Sequence, residues 1–158
     1  MSRPAIQSPV PWLDRWNIPE ADVLLKPYNE LTLKLAEDMM QAILDLGQVE
    51  QSIVWHGDSW RWTFQFDLVS SQVEQGLCYL IPNPETFMFV IPMHRDVIAK
   101  LPMRRLNRYV RDAIRSSKCA VDLHWTLWRP TLKSEGEHLL DLVKRKRKLL
   151  LEAENTGK

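Results

Sequence analysis

Four histidines, two cysteines and a strongly basic second half are the residues of this 158-residue chain that could do chemistry. His56, His94 and His124 fall at or beside predicted strands. Three imidazoles converging on one end or face of a sheet would make a facial metal site or an acid–base site, since imidazole is the commonest ligand and titrates near neutral pH. Without convergence they are structural or surface side chains, and His138, on the first turn of the last predicted helix, reads as solvated. Cys78 and Cys119 lie 41 residues apart with no CxxC and no Cys/His pair at zinc spacing. Neither a disulfide framework nor a structural metal is signalled by that spacing, and both cysteines read as small buried apolar residues.

A second kind of chemistry is recognition by aromatic rings. Of the seven tryptophans, Trp55, Trp60, Trp62, Trp125 and Trp128 fall on predicted strands, where they either pack the core or wall a pocket for an apolar or stacking ligand. Trp60 and Trp62 alternate in phase with Phe64 and Phe66, so these four are expected on one core-facing side. Trp125 and Trp128, three apart, must point to opposite faces. A small aromatic-walled pocket with Arg61 and His124 as polar anchors follows, and its ligand-binding set is Arg61, His124, Trp125 and Trp128.

The third candidate is electrostatic. Residues 1–99 hold 6 basic and 13 acidic side chains, and residues 100–158 hold 15 and 7, a net −7 against +8 in a chain whose total is +1. Arg104, Arg105, Arg108, Arg111 and Arg115 share the outer face of one predicted helix. Arg104, Arg108, Arg111 and Arg115 are the polyanion-binding set, because clustered cations attract phosphate by charge density and counterion release. The run Lys144–Lys148 covers five consecutive positions, so it surrounds its helix instead of lining one face.

No P-loop, dinucleotide glycine motif, HExxH, GxSxG or EF-hand loop occurs, and five glycines leave little room for a phosphate-cradling loop. The paired acids Glu37/Asp38 and Glu135/Glu137 fall on helix surfaces, where solvation or capping accounts for them. No cofactor is called for. With 45% hydrophobic and 26% charged residues, no apolar run near a bilayer's span and no signal-like apolar core at the N-terminus, the expectation is one globular cytoplasmic domain that does not enter a membrane.

The elements that position these residues are legible in outline. Five prolines within residues 1–28 exclude a long helix there and make an extended arm. Its Trp12, Leu13, Trp16 and Ile18 are expected to cover apolar surface. Asn29 caps a helix over about 30–46 that Gly47 stops. Strands follow at 51–55, 60–68, 77–81 and 86–91, joined by tight turns that hold the prolines. A short helical piece near 96–100 precedes the arginine helix at about 106–114. A fifth strand covers 121–128, and Ser134-Glu135-Gly136-Glu137 opens a helix to about 151 as a capping box. The domain is therefore 29–152, with residues 153–158 a frayed tail. This order gives an α+β fold, an antiparallel sheet of about five strands with three main helices packed on it.

Trp55 to Trp62 with its Gly57 turn, Cys78-Tyr79-Leu80-Ile81-Pro82, Phe87-Met88-Phe89-Val90-Ile91 and the late Leu/Lys-rich helix resemble a family of short bacterial proteins of unknown function. The likeness spans roughly residues 28–148. More distantly the arrangement resembles the YdhG-like α+β domains, some of which are proposed iron-handling chaperones. The resemblance implies a fold and no activity. The function expected is a non-catalytic ligand-binding or interaction module with an aromatic-lined groove between sheet and helices. The alternatives are nucleic-acid binding through the basic helix 104–115 and a histidine-based, metal-dependent enzyme.

Overall fold

The computed structural model describes residues 13–69 and 76–156. Pro4, Pro9, Pro11 and Trp12, and the last two residues of the expected tail, lie outside them. The expected α+β class holds. Helices α1 (Ala21–Leu25) and α2 (Glu30–Leu44) precede strand β1 (Val49–Trp55), the one-turn helix α3 (Gly57–Trp60), β2 (Trp62–Leu68), β3 (Cys78–Pro82) and β4 (Phe87–His94). Then come α4 (Arg95–Ala99), a 3₁₀ turn at Met103–Arg105, α5 (Arg108–Arg115), β5 (Lys118–Ala120), β6 (Leu123–Trp128) and α6 (Lys133–Thr156). The strands form one antiparallel sheet of six in the order β1-β2-β3-β4-β6-β5.

The sixth strand is the addition to the expected five. Val121 and Asp122 both take positive φ (50° and 66°), the two left-handed residues that a primed hairpin turn requires, so what reads as one strand over 121–128 is a turn with β5 folded back on β6. Pro92, expected in a connection, lies within β4. It pairs there with Trp125 alone, beyond the last partner that β3 offers, so its missing N–H breaks no ladder bond on that side.

Alternation along the strands sorts the side chains into two layers. On one face Phe64, Phe66, Leu80, Phe89, Ile91 and Met93 are fully buried and form the main core with the inner stripes of α2, α5 and α6, including Ala36, Met39, Ile43, Ile114, Leu139 and Val143. On the opposite face Tyr79, Ile81, Met88 and Val90 make a second, smaller cluster, against which Trp60 and Trp125 pack.

Local capping explains most boundaries. Asn29 accepts a hydrogen bond from the Thr32 amide at 2.9 Å, as its cap role requires. The capping of α6 lies two residues earlier than Ser134, at Leu132. Glu135 Oε1 accepts from the backbone N–H groups of Thr131 and Leu132 and from the Thr131 hydroxyl. At its other end α6 runs to Thr156, into the expected frayed tail, because the apolar stripe continues through Leu149 and Leu150 and good helix formers follow.

The expected arm is shorter and less buried. Residues 21–25 are helical, and Leu24, Leu25 and Tyr28 belong to the core. Trp16 is 78% exposed, with the Arg15 guanidinium 4.4 Å over its ring, and Ile18 is also exposed, so neither covers the domain. The arm is instead held by its backbone, through the Trp62 indole N–H donating to the Asp14 carbonyl at 2.8 Å.

Candidate functional site

The aromatic cluster begins with a strained turn. Gly57 (φ 82°) opens α3, and Arg61 closes it at φ 61°, ψ −140°, a region that side-chain-bearing residues rarely occupy. The alternation of β2 therefore breaks at Arg61. Trp62, Phe64 and Phe66 face the main core as expected, while Trp60 lies on the other face of the sheet, which corrects the expectation that all four share one side. There the Trp60 ring packs 5.6 Å from Tyr79, 5.7 Å edge-on from Trp125 and 5.8 Å from His56, and His56 lies 5.4 Å from Tyr79. The rings pack against one another as tilted and edge-on neighbours. A polar chain runs beside them, with His56 Nε2 2.9 Å from the Gln65 side-chain oxygen and the Gln65 amide donating to Asp67 at 2.8 Å. Burial, followed by the nearby Asp67 and Cys78, pushes the Tyr79 hydroxyl up to about 12.

The four residues expected to share a ligand site are not brought together. Trp128 is buried in the main core, its indole donating to the Tyr109 carbonyl at 3.2 Å. His124 lies across from Met93 on that same face, with Nδ1 2.9 Å from the Ser117 hydroxyl. Trp125 points to the opposite face, as the odd spacing requires, and Arg61 serves the turn. The space expected as a groove between sheet and helices is thus core, and the half-buried Trp60 and Trp125 stand on the other side of the sheet, with α3 contributing Trp60.

The histidines also stay apart. His56 belongs to the aromatic cluster, His124 to the helix-covered face, and His94 caps α4 by accepting from the Asp96 amide. Among the described residues no group of three His, Cys, Asp or Glu side chains could hold a metal ion, so the facial-site expectation fails on geometry. His138 is half-buried, contrary to expectation, in a polar cleft of about 220 Å³ with Arg105, Asn107 and Asp141. Both cysteines are free. Cys78 is buried, its thiol held neutral by desolvation, but Cys119 is exposed because the edge strand β5 has no cover.

The basic segment divides. Arg104, Arg105, Arg108 and Arg115 are exposed, Arg108 bonding Asp112 one turn on, while Arg111 is half-buried. The run Lys144–Lys148 is no patch. Arg145 pairs with Asp141, Arg147 donates to the Gly47 carbonyl, and Lys146 is buried at 2% exposure.

Lys146 is the residue that composition hides. Its ammonium donates to the carbonyls of Gly76 (3.0 Å), Leu77 (2.9 Å) and Pro92, spending all three N–H groups on backbone that precedes β3 and lies inside β4. Burial pulls its pKa down to about 7, the Cys78 thiol acting in the opposite sense. A signal existed, since Lys146 falls on the apolar stripe set by Leu139, Leu142, Val143, Leu149 and Leu150.

One concave apolar site among the described residues is aliphatic. A groove of about 510 Å³ between α2 and α6 is lined by Leu31, Leu35, Met39, Leu132, Gly136 and Leu140, with Lys34, Asp38, Lys133 and Glu137 around it. Gly136 permits the close approach, since a Cβ there would lie 3.0 Å from Leu35 Cδ1 and 3.3 Å from Met39 Sδ. Among the described residues no helix is long and apolar enough to cross a membrane. No family model, curated protein or solved structure matches the chain.

Proposed function

We propose that the protein is a non-catalytic binding module whose contact surface is the aromatic cluster on the face of the sheet opposite α2, α5 and α6, and that its ligand carries a planar aromatic ring with a hydrogen-bonding edge. One observation carries the reading. Trp60 is brought beside Trp125 by a non-glycine residue at φ 61°, and backbone strain of about 1–3 kcal/mol is retained where a site repays it. Both indoles remain half-exposed and available for stacking, and the His56–Gln65–Asp67 chain supplies donors and acceptors alongside. A cytoplasmic location accompanies the reading, supported by two cysteines that stay unpaired.

Tryptophan emission and thermal shift, recorded against nucleosides, indoles and aromatic acids, test it. Binding that is lost in Trp125→Ala and kept in Trp128→Phe supports the assignment. A panel that moves neither emission nor melting temperature rejects it.

A second reading, polyanion binding, rests on the exposed Arg104, Arg105, Arg108 and Arg115, opposed by Asp112 alone within α5. Arg111, half-buried, joins this set only at its edge. Affinity for nucleic acid that falls steeply with salt, with a slope reduced by about one for each arginine removed, would favour it.

A further inference from the structure

The groove between α2 and α6 is independent of the aromatic surface, and what surrounds it points to its occupant. Leu31 is 81% exposed and Leu132 59% exposed, both at the groove. Leucines standing so far out gain from a broad protein surface laid over them, and little from a small molecule seated between the helices. Leu35, Met39 and Leu140 line the groove beside these projections, with Gly136 packed against Leu35 and Met39. Projecting leucines beside an aliphatic groove form a surface on which the same leucines of a second copy can pack.

The charges carry the same symmetry. Lys34 and Lys133 supply two cations at the groove, and Asp38 and Glu137 supply two anions. A strongly acidic or basic partner would leave half of these opposed by like charge, whereas an isologous two-fold contact sets each sign against the other. Lys34 bonds Asp38 at 3.3 Å within its own helix, and both side chains are largely exposed, so the pair can exchange partners at little cost.

We propose that this face is a homodimer interface, in which Leu31 and Leu132 of one copy enter the α2/α6 groove of a second copy, while Lys34 and Lys133 of each meet Asp38 and Glu137 of the other. A dimer of this kind covers the apolar stripe that α2 and α6 leave bare, and it keeps the aromatic face of each copy outward.

Sedimentation velocity of the full chain over a wide concentration range is the test. The expected result is a reversible dimer that Leu31→Glu weakens about a hundredfold or more, since that change removes a buried leucine and buries a charge. Leu31 is exposed in the single chain, so circular dichroism of the variant should match the parent. Lys34→Glu should weaken the dimer about tenfold, and Lys34→Glu with Glu137→Lys should restore it. A chain that stays monomeric at every concentration overturns the proposal, as does a dimer that both variants leave intact. A thermal shift given by octanoate or a similar small amphiphile to a purely monomeric chain also overturns it, and makes the groove a small-ligand site.

Discussion

Lys146→Met removes a buried ammonium while keeping the length of its aliphatic stem, and its effect can be worked from the structure. At any single pH two terms oppose each other. Gly76, Leu77 and Pro92 lose their shared donor, at roughly 1–3 kcal/mol for each buried carbonyl left bare, and the chain is relieved of desolvating a charge. The pH dependence separates them. The lysine holds its proton to 10.5 when unfolded and to about 7 when folded, so between these values the unfolded state binds the extra proton. Stability conferred by a group of this sign is fully present above the unfolded value and lost as pH falls toward the folded one. The stability of the parent relative to Lys146→Met should therefore rise with pH, at a slope that approaches about 1.4 kcal/mol per pH unit above pH 8, and by about 2 kcal/mol in all from pH 7, where the folded lysine is still half-protonated, to pH 9. Urea denaturation of both proteins at several pH values in that window measures the difference directly. Taking the difference also removes the contributions of Tyr28, Tyr79 and Tyr109, whose raised values act in the opposite sense at higher pH. A difference that stays flat would refute the reasoning, because it would mean that the three carbonyls hold the ammonium at an ordinary lysine value.

Other perturbations probe the turn, the sheet and the arm. Arg61→Gly should raise stability by about 1 kcal/mol in chemical denaturation, since glycine takes φ 61° without strain, and an unchanged or lower midpoint would remove the strain argument for the site. Gly76→Ala should cost at least about 2 kcal/mol, because φ is 72° there and the new Cβ would meet the Asp67 carboxylate, the Phe66 carbonyl and the Tyr79 hydroxyl. Trp62→Phe keeps the ring in the core but loses the bond to the Asp14 carbonyl. It should cost about 1 kcal/mol and speed proteolysis within residues 13–20, and cleavage at the parental rate would show that the arm is held otherwise.

Much of the fold was legible along the chain. Asn29 and Gly47 bracket α2, the turn residues between 55 and 87 mark a run of antiparallel strands, and the odd spacing of Trp125 and Trp128 sends them to opposite faces. All of these depend on residues within a few positions of one another, where helical or strand periodicity acts. The arginine face expected over 104–115 is not one helix face, since Arg104 and Arg105 lie in the 3₁₀ turn before α5 and Arg111 is half-buried. What the tertiary structure alone decided is how distant elements meet. The face taken by Trp60 turns on a single backbone angle at Arg61, which side-chain identity does not encode. The three strand-associated histidines scatter because β1, β4 and β6 deliver them to different faces or ends of the sheet. Lys146 stands amid four other cations in the sequence, yet the packing of α6 turns it alone among the five into the interior, where carbonyls from β4 and from the residues just before β3 converge. Apolar period reports which side of an element faces inward. Which groups it finds there depends on pairings between residues tens of positions apart, and these exist only once the sheet has closed.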